Sequence, residues 1–85
     1  MRRKDKLIKR LLSRPKDFTY DELVIFLMFV GYEEVNAGRT SGSRRAFISE
    51  VNGHIIRLYK PHPGNVIRIY QIDLIISELR KEKLI

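Results

Sequence analysis

Histidine and arginine are the residue types in this chain with chemistry to offer, and their positions limit what that chemistry is. The chain holds two histidines, His54 and His62. An imidazole titrates near neutrality, so a histidine beside a phosphodiester and its 2′-hydroxyl is suited to moving a proton. Arg39, Arg44, Arg45, Arg57 and Lys60 fall in the same stretch. A guanidinium stays protonated; it grips a phosphate through two parallel donors but cannot serve as a general base. Tyr59, between Leu58 and Lys60, adds an aromatic face on which a nucleobase can stack. Each residue also has an ordinary structural role open to it: a solvated arginine near a strand end, a turn histidine that caps or packs, a sheet tyrosine that packs.

Other chemistries are poorly provided for. The two histidines are too far apart for a helix-spaced metal pair. With no cysteine, there is neither a thiol nucleophile nor a Cys-ligated zinc. Ser43 has no evident base beside it, and neither a phosphate-binding P-loop nor a dinucleotide-type glycine fingerprint occurs. No metal or cofactor is expected. The longest apolar run, residues 23–30, is too short to cross a bilayer, and the basic N-terminus lacks the apolar region of a signal peptide. A cytoplasmic protein is the expectation.

The elements that must position these residues read as follows. Leu7, Ile8, Leu11 and Leu12 recur at helical spacing over residues 5–13, and Pro15 stops that helix at Arg14. Thr19-Tyr20-Asp21-Glu22 is a capping box, with Phe18 and Leu23 at the staple positions. It predicts a helix over 20–30, ended by Gly31 in the left-handed conformation. Residues 32–37 read as a strand, followed by a Gly/Ser/Thr-rich connection over 38–43. Strands over 44–51 and 54–60 flank Asn52-Gly53, a two-residue hairpin signal that pairs Val51 with His54 and Phe47 with Leu58. Alternation then gives Phe47, Ile56 and Leu58 to the core, and Arg44, Ala46, Ile48, Arg57 and Tyr59 to the other face. That register sets Arg44 roughly opposite Pro61, near His62, and leaves His54 as a turn residue at the far end of the hairpin. A last helix over 69–83 follows, with Ile72, Ile75, Ile76 and Leu79 on one face. The fold class is α+β: a three-stranded antiparallel meander with helices on one face, α-β-β-β-α, plus an N-terminal extra helix. Residues 1–18 read as a basic helical extension and 19–85 as the domain.

Charge is blocked along this order. Residues 1–16 hold eight Lys/Arg against one Asp, residues 17–37 five acids and no base, and residues 38–62 five bases against one Glu. The net charge of +7 therefore comes from two basic blocks separated by an acidic helix and its exit. Such blocks suit a polyanion, with nucleic acid the natural one, or act as a solvated, solubilising surface.

The order Asp21-Glu22-Leu23-Val24, Gly31-Tyr32-Glu33, Gly42-Ser43 before a strand with Phe47, and His62-Pro63-Gly64 before the last helix resembles the HicA toxins of bacterial toxin–antitoxin pairs. The match runs over residues 19–82. The resemblance implies a double-stranded-RNA-binding-like fold, RNA as substrate, endoribonuclease activity and neutralisation by a HicB-like antitoxin. In that family a histidine follows the Gly-Ser pair as the general acid/base; this chain has Arg44 there, followed by Arg45. Cleavage then falls to His62 as a substitute base or is lost. The RNA contacts expected are Arg39, Arg44, Arg45, Arg57, Tyr59 and Lys60.

The helices carry more apolar residues than such a domain can bury. Leu23, Phe26, Leu27 and Val30 already form one stripe, yet Ile25, Met28 and Phe29 form a second, and Val66, Ile69 and Leu74 extend the apolar character around the last helix. Three coverings are open: the N-terminal helix of the same chain, a natural partner or second copy, or an interface designed onto a HicA-like scaffold. The association reading makes this a homodimer or higher oligomer, and, in the alternative to an RNA role, a non-catalytic association module.

Overall fold

A computed structural model describes residues 3–35, 44–61 and 64–85. The first helix, α1, spans Arg3–Leu12. It stops as Pro15 requires, with Arg14 at φ 53°, a left-handed conformation that turns the chain back. The helix α2, Tyr20–Phe29, begins on the predicted capping box. Thr19 Oγ1 accepts from the Glu22 N–H at 3.1 Å, and Glu22 Oε1 accepts from the Thr19 N–H at 3.1 Å. Both staple residues, Phe18 and Leu23, are fully buried. Gly31 closes the helix at φ 93° and donates to the Met28 carbonyl.

Strands β1 (Tyr32–Val35), β2 (Arg44–Ser49) and β3 (Ile55–Tyr59) form one antiparallel sheet in the order β1-β2-β3, and α3 (Ile69–Lys81) follows. A single bridge between Thr19 and Val66, flanked by bonds from Tyr20 N–H to the Asn65 carbonyl and from Ile67 N–H to the Phe18 carbonyl, joins the entries of α2 and α3. Tyr32, Phe47, Ile56 and Leu58 point into the core against Phe26, Leu27, Ile72, Ile75 and Leu79. The α+β architecture with helices on one sheet face is therefore what the alternation predicts.

The hairpin register differs from the predicted one. Phe47 pairs with Ile56 rather than Leu58, and Arg44 with Tyr59 rather than Pro61. The ladder closes at Ser49, whose N–H donates to the His54 carbonyl, leaving a four-residue loop over 50–53. A type I′ turn needs positive φ at both central residues, but of Asn52 and Gly53 only Gly53, at φ 75°, adopts it. The other loop groups find local partners instead. Glu50 N–H donates to the Gly31 carbonyl, Val51 N–H to Ser49 Oγ, and His54 N–H to Asn52 Oδ1. Val51 is thus an exposed loop residue, not the end of a strand. The shift is by two residues, so every side chain keeps its face.

The N-terminal segment is built into the core. Leu11 is fully buried, with Leu7 and Ile8 partly so, while Leu12 faces outward. Arg10 Nε donates to Glu22 at 2.7 Å, and Arg14 grips Asp73 through two bonds of 2.7 and 2.9 Å, tying the segment to α2 and α3. It does not cover the second stripe of α2: Met28 is 65% exposed and Phe29 42%, with Ile25 half-buried. Around α3, Val66 and Leu74 are exposed and Ile69 packs partly on the core. Among the described residues, no helix is long and apolar enough to cross a membrane.

Candidate nucleic-acid interface

The sheet face away from the helices is built by the pleat. Because Phe47 and Ile56 point inward, Ala46, Ile48, Ile55 and Arg57 point outward, joined by Arg44 and Tyr59 at one end and by Glu33 and Val35 from β1. Arg44 and Tyr59 are direct cross-strand partners, and Arg57 stands two residues before Tyr59 on the same face, about 6.5 Å along the strand. Tyr59 is 50% exposed and both arginines are exposed. One end of the face is thus cationic and aromatic. The other holds half-buried Ile48 and exposed Ile55, with the exposed carboxylate of Glu33 paired across from Ile48.

The backbone beneath Tyr59 is held from the helical side. Gln71, in the first turn of α3, accepts from the Tyr59 N–H at 2.7 Å and donates to the Tyr59 carbonyl at 3.1 Å.

Arg45 and Lys60 lie elsewhere. The pleat turns Arg45 to the helix side, where its Nε is 3.7 Å from Glu34. The Tyr20 hydroxyl donates to the same carboxylate, and Lys60 Nζ stands 5.5 Å above the Tyr20 ring. Burial, reinforced by the Glu34 carboxylate, pushes the Tyr20 phenol well above its ordinary pKa. Of the predicted contacts, Arg44, Arg57 and Tyr59 thus share the open face, and Arg45 and Lys60 flank Tyr20 behind it. Arg39, Ser43 and His62, like the predicted strand end at residues 36–37, lie outside the described residues.

His54 is more than a turn residue. Its Nδ1 is 2.7 Å from the Tyr32 hydroxyl and its Nε2 3.2 Å from Glu78, with the Tyr32 ring edge-on at 5.9 Å. Residues so far apart in sequence carry no local signal of this contact, and Gln71, on the core side of α3, reads as a polar lapse in an apolar pattern. Both became visible only with the sheet in place. Among the described residues, no cluster of three or more His, Asp or Glu is suited to a metal ion.

No protein-family model matches this chain, and comparison with curated proteins and with solved structures gives no match either.

Proposed function

We propose that this chain is an RNA-binding protein of the HicA-like toxin type, which holds single-stranded RNA on the open face of its sheet. The observation that carries the reading is the cross-strand pair of Arg44 and Tyr59, with Arg57 one step along the same uncovered face. An exposed aromatic gives a base a surface to stack on, and flanking arginines at roughly nucleotide spacing suit the adjoining phosphates. A duplex offers neither its base faces nor a flat backbone to such a surface, so an unpaired strand is the better ligand. The basic residues of α1 raise the net positive charge from the helix side of the sheet, where Arg10 and Arg14 already pair with Glu22 and Asp73, so phosphate contacts on the open face fall to Arg44 and Arg57.

Attack by a 2′-hydroxyl needs a group that takes its proton, and Arg44 cannot do so. Turnover would draw on His62, with a HicB-like antitoxin as the protein partner. The test is fluorescence anisotropy with a short, unstructured RNA. Tyr59→Ala is expected to weaken binding by roughly 1–3 kcal/mol, the worth of one stacked base. Each of Arg44→Ala and Arg57→Ala should reduce the slope of log K against log salt by about 0.7. Duplex RNA binding as tightly as the single strand, with no dependence on Tyr59, would overturn the reading.

A second reading, as an association module, rests on a different observation: the solvent-facing Met28 and Phe29 on α2. It is compatible with the first, since α2 and the open sheet face lie on opposite sides of the sheet.

A further inference from the structure

We infer that Gln71 is a positioning residue for the RNA platform: its buried amide locks the backbone of Tyr59 and so aims the tyrosine ring on the open face. The inference rests on the RNA-binding reading and adds to it a residue that cannot touch RNA.

Gln71 is 3% exposed, in a core whose other α3 members are Ile72, Ile75, Ile76 and Leu79. A buried amide is tolerated only where its donor and acceptor are both used. Here they are used on one residue, through the bonds to Tyr59 N–H and C=O. The ladder explains why that residue needs them. The Ser49 N–H bond to the His54 carbonyl sets residues 54, 56 and 58 to bond inward to β2, so residues 55, 57 and 59 turn their peptide groups outward at the sheet edge. The Gln71 amide stands where a fourth strand would place its own peptide group. It does so only at Tyr59, the last residue of β3, where a strand is most prone to fray.

A tyrosine on a fraying strand end would have to be ordered each time a base stacked on it. With its N–H and C=O both fixed, its backbone dihedrals and the direction of its side chain are set beforehand, and binding loses less freedom. A purely structural amide, by contrast, would support the fold and leave the ligand indifferent. The two differ in what they predict for RNA with and without bases.

Gln71→Met keeps the length and bulk of the side chain and removes both bonds. At a temperature where the variant is folded, it is expected to bind a base-bearing single-stranded oligonucleotide about tenfold more weakly, as partial loss of stacking requires. An abasic oligonucleotide of the same length and charge should bind unchanged. In a Tyr59→Ala background Gln71→Met should cost nothing further, since the residue it acts through is gone. Amide exchange gives an independent reading: the Tyr59 N–H should lose protection while the Ile56 N–H keeps it. If Gln71→Met does not fold, Gln71→Glu retains the acceptor for the Tyr59 N–H and should show a smaller loss of the same base-dependent kind. Equal weakening for both oligonucleotides, additivity with Tyr59→Ala, or no change in either would overturn the inference and leave the RNA reading standing. If Tyr59→Ala itself leaves RNA affinity unchanged, the RNA reading falls and this inference with it.

Discussion

His54 stands 3.2 Å from Glu78, and through that contact the hairpin loop is fastened to the last helix. The other ring nitrogen meets the Tyr32 hydroxyl, so one imidazole connects β1, the β2–β3 turn and α3. A neutral ring can satisfy both neighbours by accepting from Tyr32 and donating to Glu78. His54→Leu leaves the largely buried hydroxyl without its partner, and should cost roughly 1–3 kcal/mol in urea denaturation. Tyr32→Phe in the same chain removes the orphaned group and should restore part of that loss. An additive pair of losses would show that the two side chains do not act together.

The pH dependence of stability follows from four groups. The Lys81 ammonium first, then His54, hold the Glu78 carboxyl below its ordinary value of 4.5; the Arg10 guanidinium and the Thr19 N–H do the same for Glu22. A carboxyl with a lowered folded pKa contributes stability that is present above 4.5 and is lost as pH falls through the folded value. Melting temperature should therefore drop on acidification below about pH 4.5, and Glu22→Gln should flatten that limb. At the alkaline end the sign reverses. Burial raises the Tyr20 and Tyr32 phenols above 10, so their contribution is complete below that pH and is lost as pH climbs beyond it. Tyr20→Phe should weaken the alkaline limb and leave the acid one alone.

The N-terminal segment should prove part of the domain. Leu11 has no exposed surface and lies in the same cluster as Ile72 and Leu79. Leu11→Ala should cost about 2–5 kcal/mol, and Leu12→Ala, one residue on but facing solvent, under about 1 kcal/mol. Urea midpoints for the two variants decide this. Equal small effects would mean that α1 is an appendage.

What was legible in the sequence was local. The capping box, the Phe18–Leu23 staple and Gly31 specify α2 between residues 18 and 31, and alternation assigns the sheet faces. The register was not legible, because Asn52-Gly53 competes with a longer loop. The bonds that favour the longer loop reach back to Gly31 and Ser49, and no two-residue signal contains them. The same limit applies to the site. Arg44 and Tyr59 could be set on one face, but not set opposite each other. Gln71 and Glu78 matter only because α3 is carried back across the β3 edge and the hairpin turn.

Arg44→His tests the resemblance to the HicA toxins directly. The position faces Tyr59 across the strand pair, on the open side of the sheet. A histidine there supplies a group that titrates near neutrality where the wild-type guanidinium cannot. Cleavage of single-stranded RNA should then rise by about 10²-fold or more, with a pH optimum near neutrality. Gel analysis of end-labelled RNA measures it, with Arg44→Lys as the control that keeps charge without a titratable base. No gain over Arg44→Lys would remove cleavage from the reading and leave binding.

Association is the last expectation, and magnitudes decide its strength. Met28, Phe29 and the half-buried Ile25 together offer roughly 300 Å² per copy, so two copies in a two-fold contact bury about 600 Å², half the lower bound of a standard interface. Lost translational and rotational freedom costs about 4–15 kcal/mol against that gain. An area that small belongs with weak, transient contacts, so the stripe alone supports only weak pairing. A tighter dimer must also recruit the exposed Val66, Tyr70 and Leu74 around α3. Sedimentation across a concentration series should show a 10.1 kDa monomer giving way to dimer at high concentration. Met28→Glu with Phe29→Lys should hold the chain as a monomer with an unchanged urea midpoint, since neither side chain belongs to the core. A monomer at every concentration would reject the stripe as a self-association surface, and unfolding of the double variant would show that these side chains support the fold.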